Sequence, residues 1–177
     1  MMIVNAVSLI LVITSKLAVV LGSLSLDSAN INVLDSSFGN CAVKILQTKP
    51  KSIDLDVHVF SDAKDVLLQF GAFSFIDGKY NEVIETEKVS ICELPKSENP
   101  LVQFIYKEMK KVGNLTAACP VVKGHYYIHG LTVYESDVPM PLPSGKFKLE
   151  VNGTAIKNDN NAVPLFELDI TFTESND

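Results

Sequence analysis

Between Cys92 and Pro120 the chain reads CELPKSENPLVQFIYKEMKKVGNLTAACP. Asn99 is a helix-capping residue, and Pro100 suits a first helical turn. Leu101, Phe104, Ile105, Met109 and Val112 then recur at three- and four-residue spacing, which makes one apolar stripe. Lys107, Lys110 and Lys111 fall on the polar side or near the C-terminus, where cations suit the helix dipole, and Gly113 ends the run. A cysteine stands on each side of this helix. A Cys92–Cys119 bridge would tie it to the segments around it, and closing a loop of that length contributes roughly 3–4 kcal/mol in the chain-entropy picture.

Outward from the helix the apolar period changes from 3.6 to 2. Downstream, Tyr126 and Ile128 alternate with His125, Tyr127 and His129. Phe147, Leu149 and Val151 alternate with Lys146, Lys148, Glu150 and Asn152, and Phe166, Leu168, Ile170 and Phe172 with Glu167, Asp169 and Thr171. Upstream, Ile53, Leu55, Val57 and Val59 oppose Asp54, Asp56 and His58. Such alternation is the mark of strands with one buried and one wet face. The run Val66–Phe75 carries Gly71 and leads through the hairpin turn Asp77-Gly78 to a return strand over 79–85. Weaker strand signals lie at 29–34, 41–47 and 88–92. About eight short strands and one helix predict a mainly β fold, a two-sheet β-sandwich with one amphipathic helix, stapled by a disulfide.

The first 22 residues are apolar, lack Asp and Glu, and end in small residues at Gly22-Ser23. They read as a secretory signal peptide, with a single domain over 23–177 and a secreted, extracellular product. The chain of 177 residues is 47% hydrophobic and 20% charged, with net charge −6. Loss of Lys16 with the signal makes it one unit more negative. That balance argues against nucleic acid and against electrostatic docking on anionic membranes. Three cysteines leave one over, Cys41, either a buried free thiol or a link to a second chain in a dimer. Sequons at Asn114-Leu-Thr116 and Asn152-Gly-Thr154 mark two candidate glycosylation sites.

Catalytic signatures are missing. His125 and His129 have the spacing of a helical zinc pair, but on a strand that spacing is about 13 Å, too far to share an ion. Pro143-Ser144-Gly145 is not a nucleophile elbow. Asp54 and Asp56 share a wet strand face and read as solvated. No phosphate loop, dinucleotide fingerprint or Cys-x-x-Cys occurs. No enzyme, cofactor or metal site is expected. What remains is a supply of aromatics: Phe70, Phe73, Phe75, Phe104, Tyr126, Phe147, Phe166 and Phe172. They fit two readings, a plain close-packed core or two sheets held apart around an apolar cavity.

The combination Cys92-x-Leu94, Asn99-Pro100-Leu101, Tyr106, Asn114-Leu115, Cys119-Pro120, Gly124-His125-Tyr126-Tyr127-Ile128, Leu142-Pro143-x-Gly145-x-Phe147-x-Leu149 resembles a large insect family of secreted proteins of unknown function. That family is related to the CheB-type chemosensory proteins and, more distantly, to the ML lipid-recognition superfamily of the ganglioside activators. The likeness runs over about 53–172. It implies an immunoglobulin-like sandwich with an apolar cavity, a lipid or lipid-like ligand, and the Cys92–Cys119 pairing. It departs from the family at the N-terminus, where Cys41 has no partner upstream. The residues expected to line such a cavity are Phe70, Phe73, Phe104, Ile105, Tyr126, Ile128, Phe147, Leu149, Leu168 and Ile170. The mouth is expected near the helix and the Pro139–Pro143 loop. The rival expectation is an extracellular interaction module that meets a receptor or channel through the sheet face bearing His125 and Tyr127.

Overall fold

A computed structural model describes residues 23–139 and 145–175. The proposed signal peptide lies outside these residues, as do Pro141, Pro143 and Ser144. Among the described residues nine strands make two antiparallel sheets, and one α-helix accompanies them. The large sheet holds β1 (Ser23–Val33), β9 (Ala162–Ser175), β8 (Lys146–Ile156), β4 (Asp65–Ile76) and β5 (Lys79–Glu85) in that spatial order. The two-residue β6 (Val89–Ser90) also pairs with β4. The small sheet is β2 (Gly39–Leu46), β3 (Ser52–Val59) and β7 (Gly124–Leu131). The expected mainly β, two-sheet sandwich is the fold observed.

The strand alternation explains which face each sheet buries, and two irregularities explain where it breaks. In β1, Leu24 and Leu26 face the core, and so do Ala29, Ile31 and Val33 beyond a register shift between Leu26 and Ser28. One inserted residue reverses parity, so the apolar positions on both sides of Asp27 stay inside. That is why the period-2 signal starts only at Ala29. In β7 a matching shift near Gly130, at φ +75°, keeps Tyr126, Ile128 and Leu131 on the inner side. A left-handed backbone at that point favours glycine.

The helix α1 (Pro100–Val112) matches the sequence expectation at both ends. The Asn99 side-chain oxygen accepts hydrogen bonds from the backbone N–H groups of Leu101 and Val102, at 2.9 and 3.3 Å. Leu101, Val102 and Ile105 are buried. Gly113 then leaves the helix in extended backbone and bridges to Ile128 of β7. Asn114 continues this seam. Its backbone N–H donates to the Tyr127 carbonyl, its side-chain Oδ1 accepts from the Tyr127 N–H at 2.7 Å, and its Nδ2 donates to the His125 carbonyl at 3.0 Å. A side chain thus satisfies the free edge of β7, where unpaired backbone groups would otherwise invite another strand.

Cys92 and Cys119 are bonded, with Cα atoms 5.8 Å apart. The bridge fixes the segment after α1 to the strand end before it. Just beyond, Val121 and Ala63 exchange a pair of backbone hydrogen bonds of 2.9 Å each. The helix thus lies against β7, and the segment after it is tied by the bridge to the chain just beyond β6.

Candidate functional site

The interior is not filled. Leu55 and Val57 point inward from β3, the middle strand of the small sheet, and Ala72 and Leu149 point inward from β4 and β8 of the large one. All four are only half-buried. In a close-packed sandwich such residues lose nearly all contact with solvent. Here they border a cavity of about 440 Å³. That size falls within the roughly 300–1,000 Å³ of small-molecule sites. The small sheet contributes Cys41, Ile53, Val59, Tyr126 and Ile128 to the wall. The large sheet contributes Leu68, Phe70, Phe147, Val151, Leu168, Ile170 and Phe172, and α1 contributes Leu101, Phe104, Ile105 and Met109.

Nine of the ten residues expected to line a cavity do border it: Phe70, Phe104, Ile105, Tyr126, Ile128, Phe147, Leu149, Leu168 and Ile170. Phe73 does not, and this corrects the expectation. Val66, Leu68, Phe70 and Ala72 take the inner face of β4, so Phe73 falls on the outer one. Its ring lies across Gly71, where an added Cβ would come within 2.8 Å of it, and beneath the Lys148 ammonium at 4.8 Å. Leu55, Val57 and Cys41 also border the cavity. Their alternation was visible, but nothing in it distinguishes an inward residue that meets a neighbour from one that meets a void.

Among the described residues, the exposed part of the lining is confined to one place. Lys110, Thr116, Ala118, Pro120 and Val122 border the cavity and are exposed, and all lie on the last turn of α1 and the segment after it. This stretch forms the mouth. Its charges are few: Glu108 is paired with Lys111 at 2.6 Å, and the Lys110 ammonium stands 5.9 Å from the Tyr106 ring. The Tyr126 hydroxyl donates to the Val122 carbonyl at 2.7 Å, fixing one lip. The helix side of the expected mouth is therefore in place, while most of the Pro139–Pro143 loop lies outside the described residues.

The free thiol of Cys41 faces the interior from β2, and burial pushes its pKa up. A bridge from it to a second chain would have to leave the cavity wall. Asn114 is exposed. Asn152 sits half-buried in the middle of β8, between Gln69 and Glu167, with Thr154 of its sequon buried.

The outer face of the small sheet differs from what spacing alone implied. His125 and His129 reach the same oxygen, Asp56 Oδ1, with their Nε2 atoms at 2.9 and 3.2 Å. The spacing of about 13 Å holds along the strand axis, but Asp56 of the neighbouring strand lies opposite Tyr127, between the two rings. Hydrogen bonds from His125 and then His129 hold the Asp56 carboxyl below its usual value.

These features define a two-sheet β-sandwich with a hollow, apolar interior and, among the described residues, a mouth beside its helix. The family described as a protein of unknown function, DUF1091, matches residues 70–149, from the middle of β4 into β8. No curated protein matches the chain. Among solved structures it is similar to chicken MD-1 complexed with lipid IVa, at 12% identity and a TM-score of 0.40, over 83% of this chain and 95% of that one. It is also similar to a Niemann-Pick type C2 protein from the Japanese carpenter ant, at 14% identity and a TM-score of 0.28, over 86% and 92% of the two chains.

Proposed function

We propose that this protein is an exported carrier or presenter of a lipid or another apolar small molecule, without catalytic activity of its own. One observation carries the reading: inward residues on central strands remain half-buried around a cavity of about 440 Å³ whose wall is almost wholly aliphatic and aromatic. An empty apolar void of that size forfeits the contacts that its lining would otherwise make, and an apolar occupant restores them. The exposed Lys110 at the mouth suits the polar head of an amphiphile whose tail lies inside. Export is supported by the apolar leader at 1–22 and by a disulfide, which persists in oxidising compartments. Asn114, exposed and outside the strands, is the sequon better placed for a glycan. A chemosensory setting is supported by the resemblance of the Cys92–Leu149 motif to a secreted family related to the CheB-type proteins.

The test is direct. The protein is secreted from eukaryotic cells, purified without detergent, extracted with organic solvent and examined by mass spectrometry. A stoichiometric lipid, or saturable uptake of a fluorescent fatty acid at one site, is expected. A protein that is empty on extraction and takes up no probe would leave the second reading, an extracellular interaction module. That reading is favoured by the cluster of rings on the outer face of the small sheet, where His125 stacks on His58 and Tyr127 on His129.

A further inference from the structure

The chain gives Asn114 two tasks. It opens the sequon Asn114-Leu115-Thr116, and its side chain caps the edge of β7. The carboxamide meets two neighbouring backbone groups of that strand: Oδ1 accepts the Tyr127 N–H at 2.7 Å, and Nδ2 donates to the His125 carbonyl at 3.0 Å. Tyr127 offers a donor and His125 an acceptor, so the amide can face the strand only this way round. An oxygen and a hydrogen that serve one strand edge lie on the same side of the amide C–N bond. The hydrogen in use is therefore the one cis to Oδ1. The backbone is pressed close behind: the Asn114 N–H donates to the Tyr127 carbonyl at 3.1 Å, and a Cβ on Gly113 would strike that same oxygen.

We propose that N-glycosylation of Asn114 and capping of β7 by its side chain exclude each other, so that the glycan acts as a switch on the segment bordering the cavity mouth. Glycan transfer forms a bond from Nδ2 to the anomeric carbon of the sugar. One Nδ2 hydrogen leaves as a proton, and the lipid diphosphate that carried the oligosaccharide is the leaving group. The product is a secondary amide with one N–H, and such an amide is strongly held trans. Trans geometry puts the sugar beside Oδ1, in the place of the hydrogen now bonded to His125. The hydrogen that remains lies on the Cβ side and points away from the strand. A sugar does not fit within a hydrogen bond of 3.0 Å, so the glycosylated side chain turns outward. Asn114 is exposed, which leaves it room to do so.

The turn has two effects. The Tyr127 N–H and the His125 carbonyl lose their side-chain partner and pass to water, and the bulky glycan takes over the shielding of that edge from other strands. The segment after α1 loses its side-chain clamp and keeps the Cys92–Cys119 bridge at its far end. Thr116 and Ala118 of this segment border the cavity, so glycan occupancy sets how firmly one lip is held. The inference does not rest on the carrier reading, because exposure of the β7 edge is measured with no ligand present.

The experiment is hydrogen–deuterium exchange on the full chain secreted from eukaryotic cells. Lectin chromatography separates glycosylated from bare molecules, and glycopeptide mass spectrometry assigns the glycan to Asn114. In the fraction glycosylated at Asn114 the Tyr127 amide should exchange at least about tenfold faster than in the bare fraction. Thr116→Ala removes the sequon and keeps Asn114. It should exchange as slowly as the bare fraction, and it supplies the bare form where every parent molecule carries the glycan. Asn114→Asp has no donor for the His125 carbonyl and should exchange faster than the bare form. Equal exchange with and without the Asn114 glycan, or a parent chain secreted with Asn114 wholly bare, would overturn the proposal. Fatty-acid uptake is measured beside it: a chain that takes up no lipid yet shows the exchange difference overturns only the carrier reading.

Discussion

The strand β3 has two faces made from alternate residues, and they do opposite things. Leu55 and Val57 point into a space they do not fill. Asp54, Asp56 and His58 point outward into a set of directed polar and stacking contacts, with Asp56 bonding two imidazoles and Asp54 capping the Gly130 N–H. One eight-residue segment thus forms part of a loosely bounded interior and part of a closely organised exterior. The lesson is that burial and order need not coincide. In this strand the directed contacts lie on the outer face, while the inner face borders the cavity.

Four measurements would break or sharpen that contrast. The largest effect is expected from Phe147→Asp. Phe147 stacks on Phe172 with centroids 5.2 Å apart at the cavity wall. The charge would abolish uptake of a fluorescent fatty acid and cost about 3–5 kcal/mol, read as reduced secretion and a lower Tm. Unchanged uptake would count against the cavity as the binding site.

Leu55→Trp probes the void more finely. In a filled core an enlarged side chain costs about 1–3 kcal/mol. In a hollow one it should leave the Tm of the ligand-free protein unchanged or raised while uptake falls at least tenfold. A clear loss of stability would show the interior to be full.

Gly153→Ala tests the opposite, crowded regime. A Cβ there would lie 2.4 Å from Cε1 of the Phe166 ring, which also borders the cavity. The ring must turn away, at a cost of about 1–3 kcal/mol by chemical denaturation. A neutral result would mean that the ring moves freely.

The smallest effect concerns the outer face. Because Asp56 is held below its ordinary value of 3.8, its contribution to stability is present above that value. It is lost as the pH falls through the lower, folded-state value. Asp56→Asn should therefore lower the Tm slightly near neutrality, and the gap should close as the pH falls below 3.8. A gap that does not change over that range would show that the hydrogen bonds to His125 and His129 add nothing to stability.

How much of this could be read from the residues varies by element. The helix was fully legible because Asn99, Pro100, the apolar stripe and Gly113 all agree. Phe147–Val151 and Phe166–Phe172 were legible for the same reason, with period and residue type pointing one way. The start of β1 was not, since the irregularity at Asp27 reverses the alternation. Phe73 was misplaced because an aromatic in an unbroken apolar run gives no sign of its face; only counting from Phe70 does. The hollow itself was invisible, since it depends on the distance between two sheets and not on any residue. The link from His125 through Asp56 to His129 was missed because it crosses strands, and linear spacing measures only along one.

The segment bordering the mouth is pinned at both ends, by Asn114 to Tyr127 and by Cys119 to Cys92, with only four residues between. So short a tether cannot swing wide.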